Sequence, residues 1–208
     1  MKGEKYTVKG KTMRINGFRL DLHLDVPPAP IYLGAQGSGM LRLAGEIGDG
    51  VIVNFVTTDT LPAMLDHTRE GMRSVGKDPS KLDVVCRIMM AVGEDATMAQ
   101  AFFKRMLTAY VTVPQYNKFF QEIGYENEAG KAMELWNKGE RKQATASLSD
   151  EMVESIYVFG DAKACRKRID EYFKAGVTTT ALQFLSFAEK PQERGARIIK
   201  AMQDFADA

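Results

Sequence analysis

The residues best suited to chemistry lie in Gly34-Ala35-Gln36-Gly37-Ser38-Gly39. Glycines let backbone N–H groups approach a ligand closely, and a helix opening directly afterwards adds the positive end of its dipole. The spacing predicts such a helix, because Met40, Leu43, Ala44 and Ile47 recur on one helical face. Gln36-Gly37-Ser38 is therefore expected to hold a phosphate or another anion. The same glycine pattern also serves tight turns that bind nothing, so the motif alone leaves both uses open.

Other candidates are fewer. Asn54 and Thr57 follow a second apolar run, Val51-Ile52-Val53, at the end of a strand where barrel folds take ligands. Either histidine could act as a general base, but His23 lies in an extended segment and His67 on a helix surface beside Asp66 and Arg69, so both read as structural. Asp49 precedes Gly50 and suits turn geometry better than catalysis. No HExxH, CxxC or carboxylate cluster has ligand spacing and no GxSxG appears, so neither a metal site nor a serine nucleophile is expected. The twelve methionines read as adaptable core filler. Cys86 and Cys165 fall in a strand and a helix, far apart, and are expected to be buried free thiols in a reducing cytoplasm.

The elements that must position the turn follow a βα rhythm. Ile31, Tyr32 and Leu33 stop at the glycines, the helix follows, and Asp49-Gly50 leads into the next apolar run. That order is a βαβ unit of a parallel sheet. Strand cores are expected at 31–33, 51–55, 84–92 and 179–185, the last pairing in parallel with the third. Residues 5–15 alternate around Gly10 and suggest a hairpin in an N-terminal arm, 1–28, after which Pro27, Pro28 and Pro30 stiffen the approach to the first barrel strand. A helix is expected near 61–75, then a helical insertion over 94–156 with helices near 98–112, 116–123, 129–138 and 151–156. Asp161 should cap a helix that turns Ile169, Tyr172 and Phe173 inward and ends at Gly176. Pro191 should open the last one, with Ile198, Met202 and Phe205 on one face.

Composition narrows the function classes. The chain has 208 residues, enough for one domain with a sizeable core. Its 28 basic and 27 acidic residues nearly balance, which gives no electrostatic case for nucleic acid or an anionic membrane. The polar opening MKGEKYTVKGK has no signal-peptide core, and no apolar run approaches bilayer length. A cytoplasmic protein is expected.

Several segments resemble the C-terminal half of the luciferase-like flavin and deazaflavin oxidoreductases, nearest to the deazaflavin branch that includes methylenetetrahydromethanopterin reductases. The likeness is carried by Pro30-Ile31-Tyr32-Leu33-Gly34-Ala35-Gln36-Gly37, Leu43-Ala44-Gly45-Glu46 and Gly48-Asp49-Gly50-Val51-Ile52. Looser matches are Phe159-Gly160-Asp161-Ala162, Ala175-Gly176-Val177-Thr178 and the opening Gly3-Glu4-Lys5-Tyr6. The resemblance implies an α/β fold, half of a (β/α)8 barrel, with hydride transfer as the family's chemistry. It implies coenzyme F420 as cofactor, with FMN as the alternative. Ala35, Gln36, Gly37 and Ser38 would cradle the cofactor's phosphate-bearing side chain, and Asn54 and Thr57 would help hold substrate. In one relative a lysine near the position of Thr57 grips a sugar phosphate, and the threonine here disfavours that substrate. The family's N-terminal half carries much of the ring pocket and most acid/base residues, so no catalytic residue is assigned. Two other readings stay open: a non-catalytic half-barrel that binds cofactor or phosphate, and an assembly module for a separate N-terminal half.

Four strands cannot close a barrel. Ile31, Leu33, Val51, Val53 and Ile88 are expected to line an exposed inner face, driving a tight homodimer.

Overall fold

In a computed structural model the described residues are 4–19, 27 and 29–208, and the chain divides into two compact units, residues 1–31 and 32–208. In the first, strands β1 (Tyr6–Lys9) and β2 (Arg14–Phe18) form the expected antiparallel hairpin, pairing Val8 with Ile15 and Lys9 with Arg14. Gly10 N–H donates to the Met13 carbonyl at 2.9 Å and closes the turn. His23 lies outside the described residues.

The second unit is a parallel sheet with helices along its covered face, the α/β architecture of half a (β/α)8 barrel. Its strands are β3 (Tyr32–Gly34), β4 (Gly50–Asn54), β5 (Val84–Val92), β6 (Val158–Gly160) and β7 (Thr179–Phe184). β5 is the hub. It pairs with β4 through Val84–Arg87, with β7 through Val85–Met90 and with β6 through Met90–Val92. The expected third-to-fourth strand pairing is thus present, Val85 opposite Thr179 and Met89 opposite Gln183. β6 was not among the four expected strands. At three residues it is too short to show a period, and its Gly160 adopts φ 132° just before the next helix.

The crossovers are α1 (Ser38–Ile47) and α2 (Leu61–Ser74), and the long connection from β5 to β6 carries α3 (Ala96–Val111), α4 (Pro114–Phe120), α5 (Glu126–Asn137), α6 (Arg141–Ala146) and α7 (Asp150–Ile156). α6 is an addition to the expected set, since Arg-Lys-Gln-Ala-Thr-Ala offers no apolar stripe to read. α8 (Ala162–Lys174) is capped by Asp161, whose carboxylate accepts from Ala164 N–H at 2.7 Å. It buries Ile169 and Tyr172 but leaves Phe173 exposed, because Phe173 follows Tyr172 by only about 100° and falls off the stripe. In α9 (Pro191–Ala206), Ala201 and Phe205 are buried while Met202 is exposed, for the same reason.

The faces of the sheet correct the sequence reading. Side chains alternate along a strand, and partners in a parallel register share a face. Val51, Val53 and Ile88 are buried against the helices, and Leu33 packs partly buried on the same core. The opposite face carries Tyr32, Ile52, Asn54, Val85, Arg87, Thr179, Ala181 and Gln183, with Ile52 at 38% exposure. Ile31 is exposed, as expected, but Leu33, Val51, Val53 and Ile88 were assigned with the alternation one residue out of phase. A run apolar on both sides, as in 51–53 and 84–92, does not reveal which parity meets the helices.

α1 and α2 meet backbone to backbone. A Cβ on Gly45 would sit 2.0 Å from the Thr68 carbonyl oxygen, and one on Gly71 2.0 Å from that of Arg42. Only glycine fits at these crossings. Both cysteines are buried free thiols, as expected, and burial pushes Cys86 up to about 12 and Cys165 up to about 11.

Candidate functional site

β3 ends where its edge meets α1. Ala35 N–H still extends the ladder to the Ile52 carbonyl at 3.0 Å, and its side chain is buried. Gln36 then reaches across, its Nε2 donating to the Asn54 carbonyl at 2.9 Å. That bond ties the loop to the end of β4. Gly37 is the α1 N-cap at φ −73°, ψ 151°, and no side chain caps the helix. The first turn holds no acidic residue, so no carboxylate offsets the positive end of its dipole. Cβ atoms added at Gly34, Gly37 or Gly39 would meet nothing within 4 Å, so space over the turn is open.

That space is a cleft of about 480 Å³ between residues 34–40 and a facing wall of Gln115, Lys118 and Phe119 from α4 with Glu122 just beyond its end. Lys118 supports an anion there, while Glu122, 3.7 Å from Lys118, opposes one. Both pair members are mostly exposed, so the pair itself is weak. His67 sits half-exposed on α2, 3.9 Å from Glu70, and lines a neighbouring cleft with Gln36, Ser38, Asp59 and Thr60.

Asn54 ends β4, and the chain bends at Phe55. Its Oδ1 accepts from Phe55 N–H at 3.0 Å, and Phe55 is the one described non-glycine residue with positive φ, 57°. Such a backbone costs on the order of 1 kcal/mol and persists where its surroundings hold it. Phe55 is held in an aromatic nest, 4.5 Å from Tyr110, 5.9 Å from Tyr116, 6.0 Å from Phe120 and 6.2 Å from Tyr157 between ring centroids. Thr57 is buried instead. Its hydroxyl meets that of Thr60 at 2.8 Å and accepts from Thr60 N–H at 3.2 Å, forming the loop that starts α2.

The structure therefore brings Ala35, Gln36, Gly37, Ser38 and Asn54 to one rim and turns Thr57 inward. Three further residues at this rim escaped the sequence reading. Arg87 faces Asn54 across the β4–β5 register, and Tyr116 and Lys118 come from α4. Arg87 had a usable signal, a lone charge inside an apolar strand. The α4 residues had none, since nothing local says that the helical insertion folds back over the glycine turn.

The opposite rim is tied shut. The Asp83 carboxylate accepts from Tyr32 hydroxyl and Thr178 hydroxyl, joining the starts of β3, β5 and β7. Those hydrogen bonds, Thr178 first, hold Asp83 below the usual carboxylate range, and the bond to Asp83 raises the Tyr32 phenol. Lys77 Nζ donates to the Gly45 and Gly48 carbonyls at 3.2 and 2.8 Å, closing the C-terminus of α1.

A parallel sheet with helices on one face and a glycine turn opening the first helix is the α/β architecture of half a (β/α)8 barrel. The chain belongs to the luciferase-like monooxygenase family, whose model matches residues 1–179. Among curated relatives it is 27% identical over 180 residues to the 5,10-methylenetetrahydromethanopterin reductase of Methanolobus tindarius, and 28% over 181 residues to that of Archaeoglobus fulgidus. Each match covers 85% of this chain and 54% of the relative, so the chain spans about half the length of the curated relatives it matches. In fold it is similar to the coenzyme F420-dependent tetrahydromethanopterin reductase of Methanopyrus kandleri, with TM-score 0.73 and 24% identity over 99% of this chain and 58% of that one. An F420-dependent secondary alcohol dehydrogenase follows at TM-score 0.63 and 22% identity, over 87% and 50%. Among the described residues no helix is long and apolar enough to cross a membrane, and no His, Cys, Asp and Glu group could hold a metal.

Proposed function

We propose that this chain is the cofactor-phosphate half of an F420-dependent oxidoreductase. The observation that carries the reading is the α1 N-terminus, uncapped, free of acidic residues and open above Gly34, Gly37 and Gly39. The turn is exposed, so these N–H groups are reachable from solvent, and the positive end of the helix dipole favours an anion over them. The named cofactor of the relatives supports F420 over FMN.

In this reading the turn's N–H groups bind the cofactor phosphate, with Ala35 and Gln36 fixing the loop and Lys118 adding charge. Bound deazaflavin supplies hydride transfer. The chain's own groups position it: the Gln36–Asn54 bond sets the loop against β4, and the aromatic nest around Phe55 keeps water from that side of the rim. Glu122 tunes phosphate affinity downward, which suits a cofactor that exchanges.

Titration of the full chain with F420 and, separately, FMN tests this by fluorescence and visible absorbance. Saturable binding of F420, stronger than of FMN, is the expected result. No binding of either would overturn the reading and leave an assembly module.

Association is part of the proposal. Among the described residues β3 pairs only with β4, and β6 and β7 each only with β5, so the outer edges of these three strands and the Ile52–Arg87 face remain to be covered. A second copy in a homodimer is the simplest cover. That face mixes Ile52 and Val85 with Asn54, Arg87 and Gln183, so the drive is weaker than an all-aliphatic surface would give. Light scattering over a dilution series should give a dimer mass, and a monomer at all concentrations would exclude it.

A further inference from the structure

A second cleft, of about 340 Å³, adjoins the turn and shares Gly34, Ala35 and Gln36 with it, its other walls being Ile52, Asn54, Arg87 and Tyr116. Unlike the cleft over the turn, its lining contains no acidic residue. Beside Gln36, whose Nε2 is spent on the Asn54 carbonyl, three of its side chains have donor capacity left over. Arg87 makes no ion pair among the described residues, and only its Nη2 is engaged, by Gln183 Oε1. That leaves another edge of the planar guanidinium. Asn54 uses its side-chain oxygen on Phe55 N–H, so its amide NH2 points to no described acceptor. Tyr116 packs edge-on to Tyr110 at 5.2 Å and has a hydroxyl with no described partner. The buried Tyr157 hydroxyl, on the ring 6.2 Å from Phe55, also lacks a partner.

We infer that the Asn54–Arg87–Tyr116 cleft is a carboxylate-recognition subsite for the same ligand whose phosphate occupies the turn. The inference rests on the phosphate reading only for that pairing. The chemistry follows from the donor set: a guanidinium edge, an amide NH2 and a phenol can together satisfy the lone pairs of one carboxylate, and a neutral alcohol could not use the charge. Gln183 holds the guanidinium from the far side and acts as a positioning residue. The ligand class is thus an acid with a phosphate at one end and a carboxylate within one cleft's reach of it.

The test uses the full chain, labelled with ¹⁵N, and two small probes, benzoate and inorganic phosphate, each titrated alone. Benzoate should shift the Arg87 side-chain Nε–H and Asn54 side-chain NH2 signals. Phosphate should shift the backbone amides of 38–40. Arg87→Met, checked for an unchanged backbone spectrum elsewhere, should weaken benzoate at least about tenfold and leave the phosphate shifts intact. Arg87→Lys keeps the charge without the fork and should recover part of the loss, which a purely structural role for Arg87 would not produce. Benzoate that leaves Arg87 unshifted, or affinity unchanged in Arg87→Met, overturns the subsite. Arg87 shifts with benzoate but no phosphate response at 38–40 would retain the carboxylate subsite and remove the phosphate reading alone.

Discussion

The two ends of α1 are built in opposite ways. At its C-terminus Lys77 covers the Gly45 and Gly48 carbonyls, and the nearby Asp83 stitches three strands together. At its N-terminus nothing caps the helix and three glycines leave the approach open. Both ends carry the same number of orphan backbone groups by helix geometry. One rim of the sheet satisfies its polar groups internally, and the other keeps donors in reserve. The contrast teaches where stability and binding separate: substitutions at the closed rim should change folding, and those at the open rim should change ligand affinity.

The largest expected effect breaks the closed side. Gly71→Ala drives a Cβ into the Arg42 carbonyl, a backbone atom that cannot rotate away. Overpacking of this kind costs roughly 3 kcal/mol or more, so urea denaturation should show a large fall in midpoint. A near-unchanged midpoint would mean that α1 and α2 can part without loss.

Gly37→Val sharpens the open side. Its φ of −73° suits valine, and the new side chain meets no protein atom. The N-cap change costs only about 1 kcal/mol, whereas the side chain shields the turn's N–H groups. Phosphate or F420 affinity should fall at least about tenfold in calorimetry. Unchanged affinity would show that the open turn is not the anion site.

Lys77→Met keeps much of the stem and removes the cap. Loss of a charged donor on two helix carbonyls should cost about 1–2 kcal/mol by thermal melting, with ligand affinity unaltered. A fall in affinity instead would show the two ends to be coupled.

The smallest effect is in pH. Asp83 is held below its ordinary value, so its contribution is complete above about pH 4 and is lost as pH falls through the lower folded value. Stability should therefore drop on the acid side, and Asp83→Asn should flatten that part of the profile. An identical acid limb in the variant would remove Asp83 from the account.

How much of this could be read beforehand differs along the chain. The βαβ unit at 30–54 was legible because apolar period and glycine punctuation agree locally, and so was the N-cap role of Asp161. β6 was not, because three residues show no period. The inner face was misassigned because β4 and β5 carry apolar residues on both parities, and the polar Asn54 and Arg87 that mark the open one were not weighed. The role of Thr57 was equally hidden, since whether a hydroxyl meets ligand or Thr60 depends on the loop's path.

By itself the sequence determined what depends on neighbours along the chain: the strand and helix periods, the caps, the glycine turn and the charge balance. It also carried the family likeness, which lies in short contiguous motifs. The tertiary structure decided what depends on distant residues. It placed α4 over the turn, set Arg87 opposite Asn54, closed the far rim through Asp83 and brought Gly45 and Gly71 against backbone. Local pattern comes from torsional preference and side-chain spacing over a few residues. Contacts between residues tens of positions apart arise only when several layers pack at once, and no short stretch encodes that outcome.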